Sequence, residues 1–309
     1  MSTSAEQTDG TVVTLDELIA LRLQAQQIHL ATCHRVTTTL MSDRQSTLSG
    51  RGMEFADFRV YQAGDDVKHM DWRVTARTGV PHIRVYQEER ERPVYIVLDQ
   101  SATMQFGTRV AFKSVIAART AALLAWAAVN NHDRVGGFIA GHDEPFEIKA
   151  KSGKTSALQF CKQIIDAQSQ PLAHNLTDTL SRLRRVTKPG SLVFVLSDFT
   201  HFDEEAQRHL SRVAKHNDVI AGFIVDPLEM QAPKSGIYTF SDGEKKVSLN
   251  TYDKSVIEAY HKGFETRANA VQDFCHKHRI NLLPIPSEKP LLDSLRGLLH
   301  VRREARHAK

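Results

Sequence analysis

Two short segments carry oxygen atoms at a spacing that chemistry can use. The apolar, β-branched run Val94–Leu98 is followed by Asp99-Gln100-Ser101-Ala102-Thr103, one carboxylate and two hydroxyls at alternate positions. Alternate positions of an extended loop share one side, so Asp99, Ser101 and Thr103 can turn toward a single ion. A hard cation such as Mg²⁺ takes oxygen ligands in near-octahedral geometry at about 2.1 Å and keeps several waters. A second carboxylate has the same relative place: Asp198 follows the apolar run Leu192–Ser197. If the two runs are adjacent parallel strands, Asp99 and Asp198 meet at one rim. There they repel unless a cation or a basic side chain stands between them. The pattern points to a metal site built from Asp99, Ser101, Thr103 and Asp198. The plainer reading is that Asp and Ser after a strand form turns and helix N-caps.

The elements that must position these residues follow a regular order. Short apolar runs at Val94–Leu98, Arg134–Ile139, Ser191–Ser197, Val219–Val225 and Ile280–Ile285 read as strands, with Pro145–Ile148 as an edge strand. Helical patterns at 109–130, 154–167, 175–186, 203–216, 254–278 and 289–300 separate them, and Ser241-Asp242-Gly243 marks a hairpin. Strands alternating with helices predict an α/β fold with a doubly wound, mostly parallel sheet. In such sheets ligands bind beyond the carboxyl ends of the strands, where Asp99 and Asp198 lie.

Upstream the pattern differs. Residues 1–13 form a polar, disordered start, and Thr14-Leu15-Asp16-Glu17 opens an amphipathic helix reaching about Cys33, with Thr14 as N-cap. Residues 53–92 alternate charges of both signs with Phe, Tyr, Val and Trp, which suits short, half-exposed strands and is poor material for an independent core. The expected organisation is 1–48 as start and helix, 49–92 as an extension packed on the main domain, and 93–309 as that domain.

Composition narrows the class of function. The 309 residues are 41% hydrophobic and 25% charged, which excludes global disorder, and a formal charge of +4 is too mild to imply nucleic acid. Cys33, Cys161 and Cys275 are far apart and odd in number, so no disulfide framework is implied. The apolar stretch Val115–Val129 is short and interrupted by Arg119, a buried helix rather than a membrane span, and the N-terminus has no secretory pattern. A cytoplasmic protein is expected. There is no Gly-x-Ser-x-Gly elbow, and Gly153-Lys154-Thr155 has no glycine at the P-loop spacing, so ATP binding is not expected.

Asp99-Gln100-Ser101-Ala102-Thr103 with Leu196-Ser197-Asp198 resembles the metal-ion-dependent adhesion site of von Willebrand factor A domains. Gly50-Arg51-Gly52-Met53-Glu54-Phe55, Arg59 to Asp66, Asp71-Trp72-Arg73-Val74-Thr75-Ala76-Arg77 and Glu88 to Pro93 resemble the signature of domain-of-unknown-function family 58. The resemblance implies a divalent ion, normally Mg²⁺ (with Mn²⁺ or Ca²⁺ as substitutes), whose open position accepts a partner's acidic residue. It implies a non-enzymatic protein-interaction module working with a MoxR-type AAA+ ATPase in a chaperone-like or complex-maturation system. One departure is visible: where such domains place a further Thr ligand, this chain has Ala173-His174-Asn175-Leu176, with Thr177 or Thr155 as substitutes.

Other signals are weaker. A metal-dependent hydrolase using Asp99 and Asp198 is the competing reading, with His174 or His201 as its only candidate bases. Gly64-Asp65-Asp66 and Asp71 read as turns paired with Arg59, Arg73 or Arg77 rather than as a second acidic site, and Trp72 as a packing residue. Cys275-His276-x-His278 lacks a second zinc half-site, and the basic tail from Arg302 reads as a solvated helix end.

Overall fold

The structure is a computed structural model that describes residues 10–28, 30, 53–62, 65–88, 91–141, 143–168, 173, 175–241 and 246–295. Contacts divide the chain into two compact units, Val36–Glu91 and a larger one made of Met1–Arg35 with Arg92–Lys309.

Helix α1 (Leu15–Ala25) opens the larger unit, with the Thr14 hydroxyl accepting from the Glu17 amide at 3.3 Å. It ends at Ala25 rather than near Cys33. Its last turn tightens into bonds from Gln27 N to Gln24 O and Ile28 N to Ala25 O, and Ile28 and Leu30 still enter the core. Residues 31–52 lie outside the described residues.

In the smaller unit, β1 (Met53–Val60) and β2 (His82–Glu88) form an antiparallel pair flanking α2 (Trp72–Thr78). Asp71 caps α2 by accepting from the Arg73 and Val74 amides and pairs with Arg84 at 2.7 Å, while Asp65 pairs with Arg59 at 2.8 Å. These carboxylates are turn and cap residues, as the spacing suggested, although Asp71 takes Arg84 rather than the side chain of Arg73 or Arg77. Trp72, at the start of α2, is 68% exposed.

The larger unit continues through β3 (Pro93–Asp99), α3 (Lys113–Asn130), β4 (Arg134–Ala140), β5 (Phe146–Lys151), α4 (Lys154–Gln168), α5 (Leu176–Val186) and β6 (Leu192–Ser197). Next come α6 (Glu204–Ala214), β7 (Asp218–Val225), α7 (Pro227–Met230), the hairpin β8 (Ile237–Ser241) and β9 (Lys246–Asn250), α8 (Lys254–His278) and β10 (Asn281–Pro286). The six-stranded sheet has the order β5-β4-β3-β6-β7-β10, parallel throughout except for the antiparallel edge strand β5. The α/β doubly wound fold is therefore as the sequence pattern implied. Chain order runs outward in both directions from the β3–β6 neighbours, which makes their carboxyl ends the topological switch point.

Alternation along β3 splits the core. Val94, Ile96 and Leu98 pack with α1, α3 and α4, while Tyr95 and Val97 face the layer of α5, α6 and α8. Helix α3 is buried on nearly every side because it lies between the sheet and α1, which explains its Ala-rich, apolar composition. It begins at Lys113, not at 109. The segment before it is held as a loop by Thr108, whose amide and hydroxyl both donate to Asp226, and by Phe112 N, which donates to Gly10 O. Among the described residues no helix is long and apolar enough to cross a membrane.

Candidate functional site

Three parallel strands end in a buried aspartate: Asp99 on β3, Asp198 after β6 and Asp226 after β7. The register that pairs Leu98 with Leu196 brings the first two to one rim. There the Ser197 hydroxyl donates to Asp99 Oδ2 at 2.6 Å, and the Ser101 amide donates to Asp99 Oδ1 at 2.9 Å. The Ser101 and Thr103 hydroxyl oxygens lie 3.3 Å apart. Gly141, at φ +104°, supports this loop from β4; a Cβ there would stand 2.5 Å from Gln100 C and Ser101 N. Gly141 is tied in turn to the following loop, its amide donating to Asn175 Oδ1 and its carbonyl accepting from Ala173 N.

Asp198 has different company. Its Oδ1 accepts from the Thr200 amide at 2.9 Å, and its Oδ2 accepts from Lys113 Nζ at 2.7 Å. Lys113, the first residue of α3, is 1% exposed and also meets Glu229 Oε1 at 3.0 Å. Arg267 of α8 closes the ring, donating to the same Glu229 oxygen at 2.9 Å and to Thr200 Oγ1 at 2.6 Å. Phe199, between Asp198 and Thr200, sits at φ +52°, an uncommon conformation for a bulky residue, and its amide donates to Ser197 Oγ.

Asp226 is already satisfied: Thr108 N, Thr108 Oγ1, Leu228 N and Ser287 Oγ all donate to it. It joins the switch-point loops as a structural clamp.

The electrostatics separate Asp99 from Asp198. Burial, and then the charge of Asp198, push the Asp99 carboxyl above its ordinary range, against the lowering effect of the Ser197 and Ser101 bonds. Burial acts on Asp198 in the same upward sense, but the Lys113 ammonium, the Thr200 amide bond and the Arg267 charge together hold that carboxyl below the ordinary range. Among the described residues no basic side chain forms an ion pair with Asp99.

The donor set on the Asp99 side suits a hard cation in chemistry and spacing. Adjacent ligands of an octahedral ion at about 2.1 Å lie about 3.0 Å apart, close to the 3.3 Å between the Ser101 and Thr103 hydroxyls. The Asp99 oxygens accept from the Ser197 hydroxyl and the Ser101 amide, and a carboxylate oxygen has lone pairs for more than one partner. Asp198 is at the same rim, but both its oxygens are engaged and one holds an ammonium. No cluster of three or more His, Cys, Asp or Glu side chains suited to a metal occurs among the described residues, so an ion here would depend on the hydroxyls.

Of the Thr substitutes, Thr177 donates to Asp203 at 3.0 Å and Thr155 is exposed in the first turn of α4; His174 lies outside the described residues. His201, the other candidate base, is exposed.

The rim defines an α/β switch-point site in a doubly wound protein. Residues 57–270 match the family described as "Protein of unknown function DUF58", and the chain belongs to that family. An uncharacterized protein of Mycobacterium tuberculosis is 29% identical over 222 residues, covering 71% of this chain and 70% of its own length. Solved structures with some likeness include the conserved hypothetical protein BatB from Bacteroides thetaiotaomicron, at 16% identity, 70% and 99% coverage of this chain and that one, and a TM-score of 0.44. The VWA domain of SpRpn10 aligns at 12% identity, 67% and 94% coverage, and a TM-score of 0.38.

Proposed function

We propose that this protein is a non-enzymatic interaction module that binds Mg²⁺ at the switch point and offers the ion's open position to a carboxylate of a protein partner. The observation that carries this reading is the Asp99 loop. A buried carboxylate with no basic ion-pair partner among the described residues stands in one short loop with two hydroxyls at a ligand-like spacing. Asp99, Ser101 and Thr103 would hold the ion. Asp198 stands at the same rim with its charge engaged by Lys113. The ion supplies a Lewis-acidic position for an anionic ligand, and the family resemblance makes a MoxR-type AAA+ ATPase the partner to test first. The competing hydrolase reading would need a general base, and of its two candidates the described one, His201, is exposed.

At Mg²⁺ about ten times its dissociation constant, linkage stabilises the folded state by about 1.4 kcal/mol. The expected rise in melting temperature is about 3–5 °C, absent in Asp99→Ala. The AAA+ partner should copurify in Mg²⁺ and be lost in chelator. An equal melting temperature with and without Mg²⁺ in the unaltered protein would refute the ion site.

A further inference from the structure

The rim contains a cation of its own. Lys113 Nζ, 2.7 Å from Asp198 and 3.0 Å from Glu229, is enclosed at the head of a helix that is otherwise almost wholly apolar on its buried faces. A lysine is seldom fully buried without paired charge, and long side chains ordinarily carry their ammonium to water. Here the stem runs inward instead, and the ammonium lies between two carboxylates. Its backbone is anchored too, the amide donating to Phe106 O at 2.8 Å. Glu229 is held from the other side by Arg267 and, through Oε2, by the Asp226 amide at 3.1 Å. The ammonium is thus fixed by the loops after β6 and β7 and by α8.

Charge counting gives this arrangement a consequence. Asp99, Asp198, Glu229 and the neighbouring Asp226 stand against Lys113 and Arg267, leaving two net negative charges among these groups when all are ionised. A divalent ion entering beside Asp99 meets one carboxylate without a basic ion-pair partner, and a second whose charge is already answered at 2.7 Å. Like charges at one rim oppose each other, the more so where burial reduces screening by water.

We infer that Lys113 is a tethered counter-cation that sets the strength of divalent-cation binding at this rim, weakening it by holding Asp198. For the unaltered chain this rests on the cation-binding reading above; for the variants it does not.

The test is a Mg²⁺ titration by calorimetry, with melting temperature as a second readout. The unaltered protein is compared with Lys113→Met/Glu229→Gln, which keeps the net charge of the rim. Lys113→Gln keeps a donor for Asp198 without the charge, and Lys113→Arg keeps the charge. The neutral variants should bind Mg²⁺ about tenfold or more tightly than the unaltered protein, and the arginine variant should not. Lys113→Gln alone decides the matter if the double variant does not fold. Neutral variants binding no more tightly than the unaltered protein would overturn the inference. Tight binding by the neutral variants with none by the unaltered chain would uphold the inference and sink the proposed function. Binding by the unaltered chain that the variants leave unchanged would do the reverse.

Discussion

The carboxylate of Asp99 carries a cost that Asp198 does not. Both are buried at one rim, but only Asp198 has an ammonium against it. A carboxyl raised in the folded state binds its proton more tightly there than in the unfolded chain. The stability from that proton is present at low pH and is lost as pH rises through the folded value. At neutral pH, Asp99→Asn should therefore raise the melting temperature of Mg²⁺-free protein by a few degrees. The amide oxygen can still accept from Ser101 N, and the amide NH₂ can donate to the Ser197 hydroxyl. Asp198 has the opposite sign: its ionised form contributes stability above the ordinary carboxylate range, lost as pH falls through the lowered folded value. Asp198→Asn leaves the buried Lys113 ammonium with Glu229 alone, a carboxylate it shares with Arg267, and should cost about 3 kcal/mol. Calorimetric melts of the two variants in chelator decide this, and a fall in both would contradict the account.

At the scale of elements, the strands and most helices were legible because their apolar periods are undisturbed by long-range contacts. Val94–Leu98 and Leu192–Ser197 both read as buried strands followed by Asp, and both are. The errors fall where distant residues decide local structure. Positions 109–112 have a helical pattern, yet Thr108 is taken by Asp226, 118 residues away, and the helix starts late. Glu17, which could have completed a capping box, instead reaches Arg119 of α3. The site was legible in part for the same reason. Asp99, Ser101, Thr103 and Asp198 could be named from strand ends alone, whereas Lys113 and Asp226 needed the knowledge of which loops meet. Asp226 did carry the signal, an aspartate closing the apolar run Val219–Val225, just as Asp198 closes its own. The supporting turn after β4 offers a test. Gly141→Ala puts a Cβ 2.5 Å from the Gln100–Ser101 peptide at a φ of +104°, so it should cost about 1–3 kcal/mol and displace the Asp99 loop. The variant should stay folded and lose its Mg²⁺ response; a retained response would mean the loop does not depend on this turn.

At the scale of the whole molecule, every side chain assigned to the rim belongs to the larger unit, which the chain enters, leaves at Val36 and re-enters at Arg92. The two sides of that excursion are joined within the unit itself. Arg92 donates to Leu30 O at 3.2 Å and pairs with Asp218 at the start of β7, and its amide donates to Asp133 before β4. The first segment also has its own anchorage, since Leu18, Leu21 and Ala25 enter the core beside α3, and the Trp126 indole donates to Leu18 O at 3.0 Å. Burial of those three side chains and the Trp126 bond tie the segment to the larger unit. Replacing 36–91 by a short Gly/Ser linker, which costs little closure entropy when the ends are near each other, should therefore leave cooperative thermal unfolding intact. The shortened chain should also keep its Mg²⁺-dependent rise in melting temperature, because Asp99, Ser101, Thr103, Asp198 and Lys113 are all retained. A circular-dichroism melt without a cooperative transition would show that the larger unit depends on the excursion. A cooperative melt that no longer responds to Mg²⁺, while the full chain does, would place part of the cation site within residues 36–91.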